Sequence, residues 1–140
     1  MTDIGAKLVM EALDKVESGE ANFVDQNEDE ATYAKKIDKM ESKIDWIEKA
    51  DRILAKINSL NPNPGCWFEF SGSRIKIIKA REVKISGEPG LVLDNELTVA
   101  CSENAIQILE LQKEGKKKLI SKEFLKGNKL EKGLCLLSDV

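Results

Sequence analysis

The sequence predicts a mainly β fold with flanking helices: a small, open antiparallel barrel preceded by an N-terminal helix and a linker. Three observations carry this. Apolar residues recur at helical spacings in two stretches before residue 61. The stretch Asn61-Pro62-Asn63-Pro64-Gly65 then stops the second helix, because proline cannot continue the hydrogen-bond ladder and the residue before each proline is pushed out of helical geometry. Beyond it the period changes to alternation, in five short segments joined mostly by hairpin-length connections. Five short antiparallel strands hide their edges best by curling into a barrel or strongly bent sheet.

The first element, DIGAKLVMEALDKVESG, places Ile4, Leu8, Val9, Ala12, Leu13 and Val16 along one stripe. Asp3 can cap its start, and Gly19 can end it in the left-handed region. Residues 20–36 are polar and acidic, without either period, and read as an extended linker. Asp45 in the triplet Ile44-Asp45-Trp46 can cap a second helix, whose apolar face is Ala50, Ile53, Leu54, Ile57 and Leu60. The expected strands are 66–70, 74–83, 90–94, 96–101 and 105–111, with turns at Ser71-Gly72-Ser73, Asp94-Asn95 and Ser102-Glu103-Asn104. A short helix is expected at 121–126, capped by Ser121 and ended by Gly127. The expected organisation is thus a helix at 1–18, a linker at 19–36 and a barrel domain at 37–140.

Length and composition narrow the function. One hundred and forty residues, 41% apolar and 34% charged, suffice for one ordinary domain with a core. No apolar run approaches the ~20 residues of a membrane span, and the N-terminus lacks a secretory pattern, so a cytoplasmic protein with no membrane partner is expected. Cys66, Cys101 and Cys135 are far apart and odd in number, which fits reduced thiols; Cys101 reads as a small core residue. The absence of histidine excludes a Ser-His-Asp or Cys-His nucleophile pair and weakens any zinc site. No phosphate-binding glycine motif is present, and no metal site or catalytic residue is assigned.

Charge is unevenly distributed. Residues 1–60 carry a net −5 and residues 61–140 a net +2, within an overall −3. Residues 113–132 hold eight lysines against three glutamates. Such a run binds polyanions through counterion release, and fits a solvated surface equally well. Apart from Phe124 it has no aromatic or arginine partner for bases, so any contact reads as backbone contact.

Five motifs in series carry a resemblance: ATYAKK at 31–36, IDW at 44–46, NPNPG at 61–65, LELQKEGKK at 109–117 and FLKG at 124–127. In this order and spacing they resemble the C-terminal domain of methionyl-tRNA formyltransferases, over roughly residues 18–140. The first helix is similar to the last helix of that family's catalytic domain. The resemblance implies a barrel similar to the oligonucleotide-binding fold that helps hold initiator methionyl-tRNA, with no DNA partner. It implies a parent enzyme that moves a formyl group from 10-formyltetrahydrofolate to methionine on that tRNA during translation initiation. The catalytic domain, with its Asn, His and Asp, has no counterpart here, so this chain is expected to be inactive alone and to bind no cofactor itself. Asn63 stands where the family usually has tryptophan.

By the same resemblance Lys36 fits the linker lysine, with Lys35 beside it, and Lys116 and Lys117 fit the Gly-Lys-Lys pair. Lys118, Lys122 and Lys126 add charge, and Arg74 and Lys76, on one strand face, extend the patch. Asn61, Pro62, Pro64 and Gly65 read as a helix stop, and Trp46 and Trp67 as core. Two alternatives remain open: the barrel of a related formyltransferase acting on a sugar nucleotide or formylfolate, and a stand-alone interaction module using the first helix's apolar stripe.

Overall fold

The computed structural model describes residues 2–137 and divides the chain after Lys35 into two compact units. The first unit contains α1 (Thr2–Glu17) and a single 3-10 turn at Glu28–Glu30. Asp3 lies inside the first turn of α1 instead of capping it. Gly19, at φ +75°, ends the helix, with its N–H on the Val16 carbonyl at 3.2 Å. No residue of α1 is buried; Ile4, Leu8, Val9, Leu13 and Val16 are all more than half exposed.

The second unit is an antiparallel, curled half-barrel. Its elements are α2 (Ala50–Leu60), β1 (Trp67–Phe70), β2 (Ser73–Val83), β3 (Thr98–Ala100), β4 (Ala105–Lys113), β5 (Lys118–Ile120) and α3 (Ser121–Gly127). The sheet runs β1-β2-β4-β3. β5 pairs with β4 at 110–112 and β3 pairs at 105–107, so the two short strands share one edge of β4 in succession. Register slips between Ile77 and Ala80 bend β2, as a bulge does, and let the sheet curl.

The core lies inside that curl. Ala50, Ile53, Ile57 and Leu60 turn the apolar face of α2 onto Ile75, Ile77, Val99, Ile106, Ile108 and Leu111. Trp46 meets Phe68 edge to face, with ring centroids 5.9 Å apart. Nineteen residues form this cluster; at roughly 1.5–3 kcal/mol per large buried side chain it dominates the stability of the unit.

Four sequence expectations change. Residues 90–94 form only single bridges, Leu91 to Cys135 and Val92 to Val99. Their backbone hydrogen bonds are divided between β3 and residues 133–136: Leu93 N–H goes to Thr98 O at 2.8 Å and Ala100 N–H to Leu91 O at 2.9 Å, while Val92 N–H goes to Leu134 O at 2.8 Å and Leu136 N–H to Gly90 O at 2.8 Å. The fifth strand is instead β5, within the lysine run. Asp45 does not cap α2, which begins five residues later; its carboxylate accepts the Ile47 N–H at 3.0 Å in a turn. Ser121 does not cap α3 either: it is buried, and its hydroxyl donates to the Ile108 carbonyl, while Gly127 stays within the helix and Asn128 caps it through Nδ2 to Phe124 O at 2.9 Å.

Candidate nucleic-acid interface

The hairpin turn sets the geometry of the outer sheet face. Ser71 and Gly72 both have positive φ, 48° and 64°, which is the backbone that joins two strands through a two-residue loop. That loop pairs Phe70 with Ser73 and, counting back, Trp67 with Lys76. Lys76 in turn faces Gln112 on β4, and Gln112 faces Lys118 on β5. Direct partners in an antiparallel ladder project to the same face. Trp67, Lys76, Gln112 and Lys118 therefore form one row across four strands, opposite the face that carries Phe68, Ile75 and Leu111 into the core.

Trp67 is buried, at 7% exposure, but not by the apolar core. Its indole N–H donates to the Lys39 carbonyl at 3.0 Å. Its backbone N–H donates to Ser42 O at 3.1 Å, and its carbonyl accepts from Ile44 at 2.8 Å. Arg74 lies over its ring, 4.5 Å from the centroid, and the Lys43 ammonium approaches to 5.6 Å. Lys43 also pairs with Glu69 at 3.7 Å. The expectation of an ordinary core tryptophan thus holds for Trp46, whereas Trp67 is covered by cations and a turn.

Beside Trp67 opens a cleft of ≈ 310 Å³, lined among others by Lys39, Gly65, Arg74, Lys76, Gln112 and Gly115. Lys76 donates to Pro62 O at 3.3 Å, which lays its side chain across Gly65. Gln112 donates to the Lys116 carbonyl at 2.7 Å and so ties the lysine loop to the row. The Glu114 N–H donates to Arg74 O at 3.1 Å, bringing the same loop to β2.

The nine basic residues singled out from the sequence separate on this scaffold. Arg74, Lys76 and Lys118 share the outer face, and Lys116 joins them through Gln112. Lys117 is exposed in the loop between β4 and β5. Lys122 lines a different groove, with Glu96, Gln107 and Ile120. Lys126 is exposed on α3. Lys35 closes the first unit and Lys36 opens the second, both exposed. Sequence reasoning missed Lys39, Gln112 and the Trp67–Arg74 contact. The Ser71-Gly72 turn could have revealed the last of these, since a two-residue loop sets Glu69 opposite Arg74 and Trp67 opposite Lys76. Nothing local marks Lys39.

Every buried side-chain nitrogen and oxygen among the described residues already has a hydrogen-bond partner. No group of described residues could hold a metal ion, and no described helix is long and apolar enough to cross a membrane. Burial raises the thiol pKa of Cys66, and pushes that of Cys101 up to about 11, which leaves neither suited to nucleophilic chemistry.

Residues 36–129 match the formyl transferase C-terminal domain, and the chain belongs to that family. Among its relatives are methionyl-tRNA formyltransferases: one of Bradyrhizobium diazoefficiens, 43% identical over 95% of this chain, and one of Rhodopseudomonas palustris, 41% identical over 97%. The chain spans 44–45% of the length of these two relatives. In three dimensions it is similar to part of HypX from Aquifex aeolicus, solved with tetrahydrofolic acid, with a TM-score of 0.67 and 22% identity over 85% of this chain and 22% of that one. That likeness shows the fold.

Proposed function

We propose that this chain is the tRNA-holding C-terminal domain of a methionyl-tRNA formyltransferase. Its role is to grip initiator methionyl-tRNA by its phosphates while a separate catalytic domain transfers the formyl group from 10-formyltetrahydrofolate. The observation that carries the reading is identity of 41–44% to methionyl-tRNA formyltransferases along at least 90% of this chain. The outer face supplies a physical means. Lys76, Arg74 and Lys118 stand on rigid strands, and the Lys116–Lys118 run extends from them. Cations on a sheet contact phosphates at a defined spacing without reading base identity. The acidic character of the whole chain does not oppose this, because repulsion from carboxylates beyond a Debye length of about 8 Å is largely screened.

Binding of the chain to initiator tRNA across a salt series tests the reading. Log affinity should fall linearly with log salt, and a Lys116/Lys117/Lys118→Ala variant should lower the slope by about two to three units. A wild-type chain that does not bind at low salt overturns it.

A further inference from the structure

One arrangement on the outer face is not needed for gripping phosphates. The Arg74 guanidinium lies over the Trp67 ring, 4.5 Å from its centroid, and the residue is exposed. It forms no ion pair among the described residues; Glu69, its cross-strand partner, pairs with Lys43 instead. Trp67 is itself held at three points, through its indole N–H, its backbone N–H and its carbonyl. A clamped indole gives the guanidinium a fixed ring to rest on, so less rotamer freedom remains to be lost in a further contact.

A guanidinium already held over an aromatic ring is a surface for a second flat group. Unpaired RNA bases stack on such planes, whereas paired bases are occupied by one another. The surroundings suit one nucleotide. The cleft volume of ≈ 310 Å³ falls within the ~300–1,000 Å³ of small-molecule sites. Lys39 and Lys76 line it with Arg74, against the single carboxylate of Glu114. Gly115, at φ +70°, leaves bare backbone at one wall, with nothing within 4 Å of where a Cβ would stand.

We propose that this cleft takes one unpaired RNA nucleotide, its base stacked on Arg74 above Trp67 and its phosphate held by Lys76 and Lys39. The inference rests on the RNA-binding reading above and adds discrimination between unpaired and paired RNA. It moves Trp67 from a packing role to the support of a ligand contact.

The test uses the full chain and three RNAs: a short single strand, the same strand with abasic ribose-phosphate units at its centre, and a blunt duplex. Affinities are measured by fluorescence anisotropy at several salt concentrations. Wild type should bind the base-bearing strand about tenfold more tightly than the abasic one. Arg74→Lys keeps the charge and loses the stacking plane. It should abolish that preference. Lys76→Ala should instead lower the slope by about one on all three RNAs. Equal wild-type affinity for the base-bearing and abasic strands overturns the stacking proposal alone, without relying on any variant. Retention of the preference in Arg74→Lys also overturns it. Failure of wild type to bind any of the three overturns both the proposal and the RNA-binding reading.

Discussion

Gly65 offers a sharp test of how the helix stop shapes the candidate interface. It has φ +79°, and its N–H donates to Leu60 O at 2.9 Å, closing the end of α2. Replacing it with alanine has two separable effects. The left-handed backbone costs an L-residue about 1–2 kcal/mol. The new Cβ would also stand 2.8 Å from Lys76 Cε and 2.9 Å from its Cδ, closer than carbon atoms tolerate. Those atoms belong to the free end of a flexible side chain, so Lys76 swings aside and gives up its 3.3 Å contact to Pro62 O. That contact is exposed and contributes little. Gly65→Ala should therefore destabilise the chain by about 1–2 kcal/mol, nearly all from the backbone, and lower Tm by about 4 °C per kcal/mol in a domain of this size. The assay is denaturant unfolding of Gly65→Ala, Lys76→Ala and the double variant. Additivity within about 0.5 kcal/mol is expected. If Gly65→Ala costs nothing in the Lys76→Ala background, the strain lies in the side-chain clash and the backbone argument is refuted.

Two further outcomes follow from titrating groups. At pH 8 a Cys101 thiol with a pKa near 11 is ionised in only about one molecule in a thousand, so it should resist alkylation in the native chain and react on unfolding; native labelling at the rate of a free thiol would contradict its burial. Burial alone would raise the Asp94 carboxyl, but hydrogen bonds from the Thr98 side chain and the Thr98 and Glu96 backbone outweigh it and hold the pKa below the ordinary range. The unfolded chain therefore takes up this proton first. The carboxylate stabilises the fold above about pH 3.9, and that contribution is lost as the pH falls through the lower folded value. Asp94→Ala should cost about 1 kcal/mol or less at neutral pH, since the group is partly solvated, and flatten the acid limb of the stability curve. An unchanged acid limb would remove Asp94 from the account.

The half-barrel was legible in the sequence where structure is local. The α2 stripe, the proline stop and the Ser71-Gly72 turn act within a few residues of themselves, and each appears as expected. Elements whose partners are distant were not legible. The 90–94 segment alternates like a strand, yet it divides its hydrogen bonds between residues 98–100 and the distant residues 133–136. The segment Lys118–Ile120, at the end of a lysine run, is a strand because β4 offers an open edge at 110–112. Asp45 and Ser121 have the chemistry of helix caps, but turn geometry takes the first and the Ile108 carbonyl takes the second.

The same division runs through the candidate interface. The sequence by itself determined that basic residues concentrate after residue 112, that no histidine is available for catalysis, and that five motifs follow one another as in methionyl-tRNA formyltransferases. Charge, composition and motif order are properties of the chain and need no folding to be read. Only the tertiary structure decided which cations stand together. Strand pairing brings Lys76, Gln112 and Lys118 into one row from positions up to 42 residues apart, and it sends Lys122 to another groove. It also sets Arg74 on Trp67, because a two-residue turn and a bridge to residue 43 place that indole beneath it. Proximity across strands depends on register, and register is set by every turn and bulge along the sheet at once.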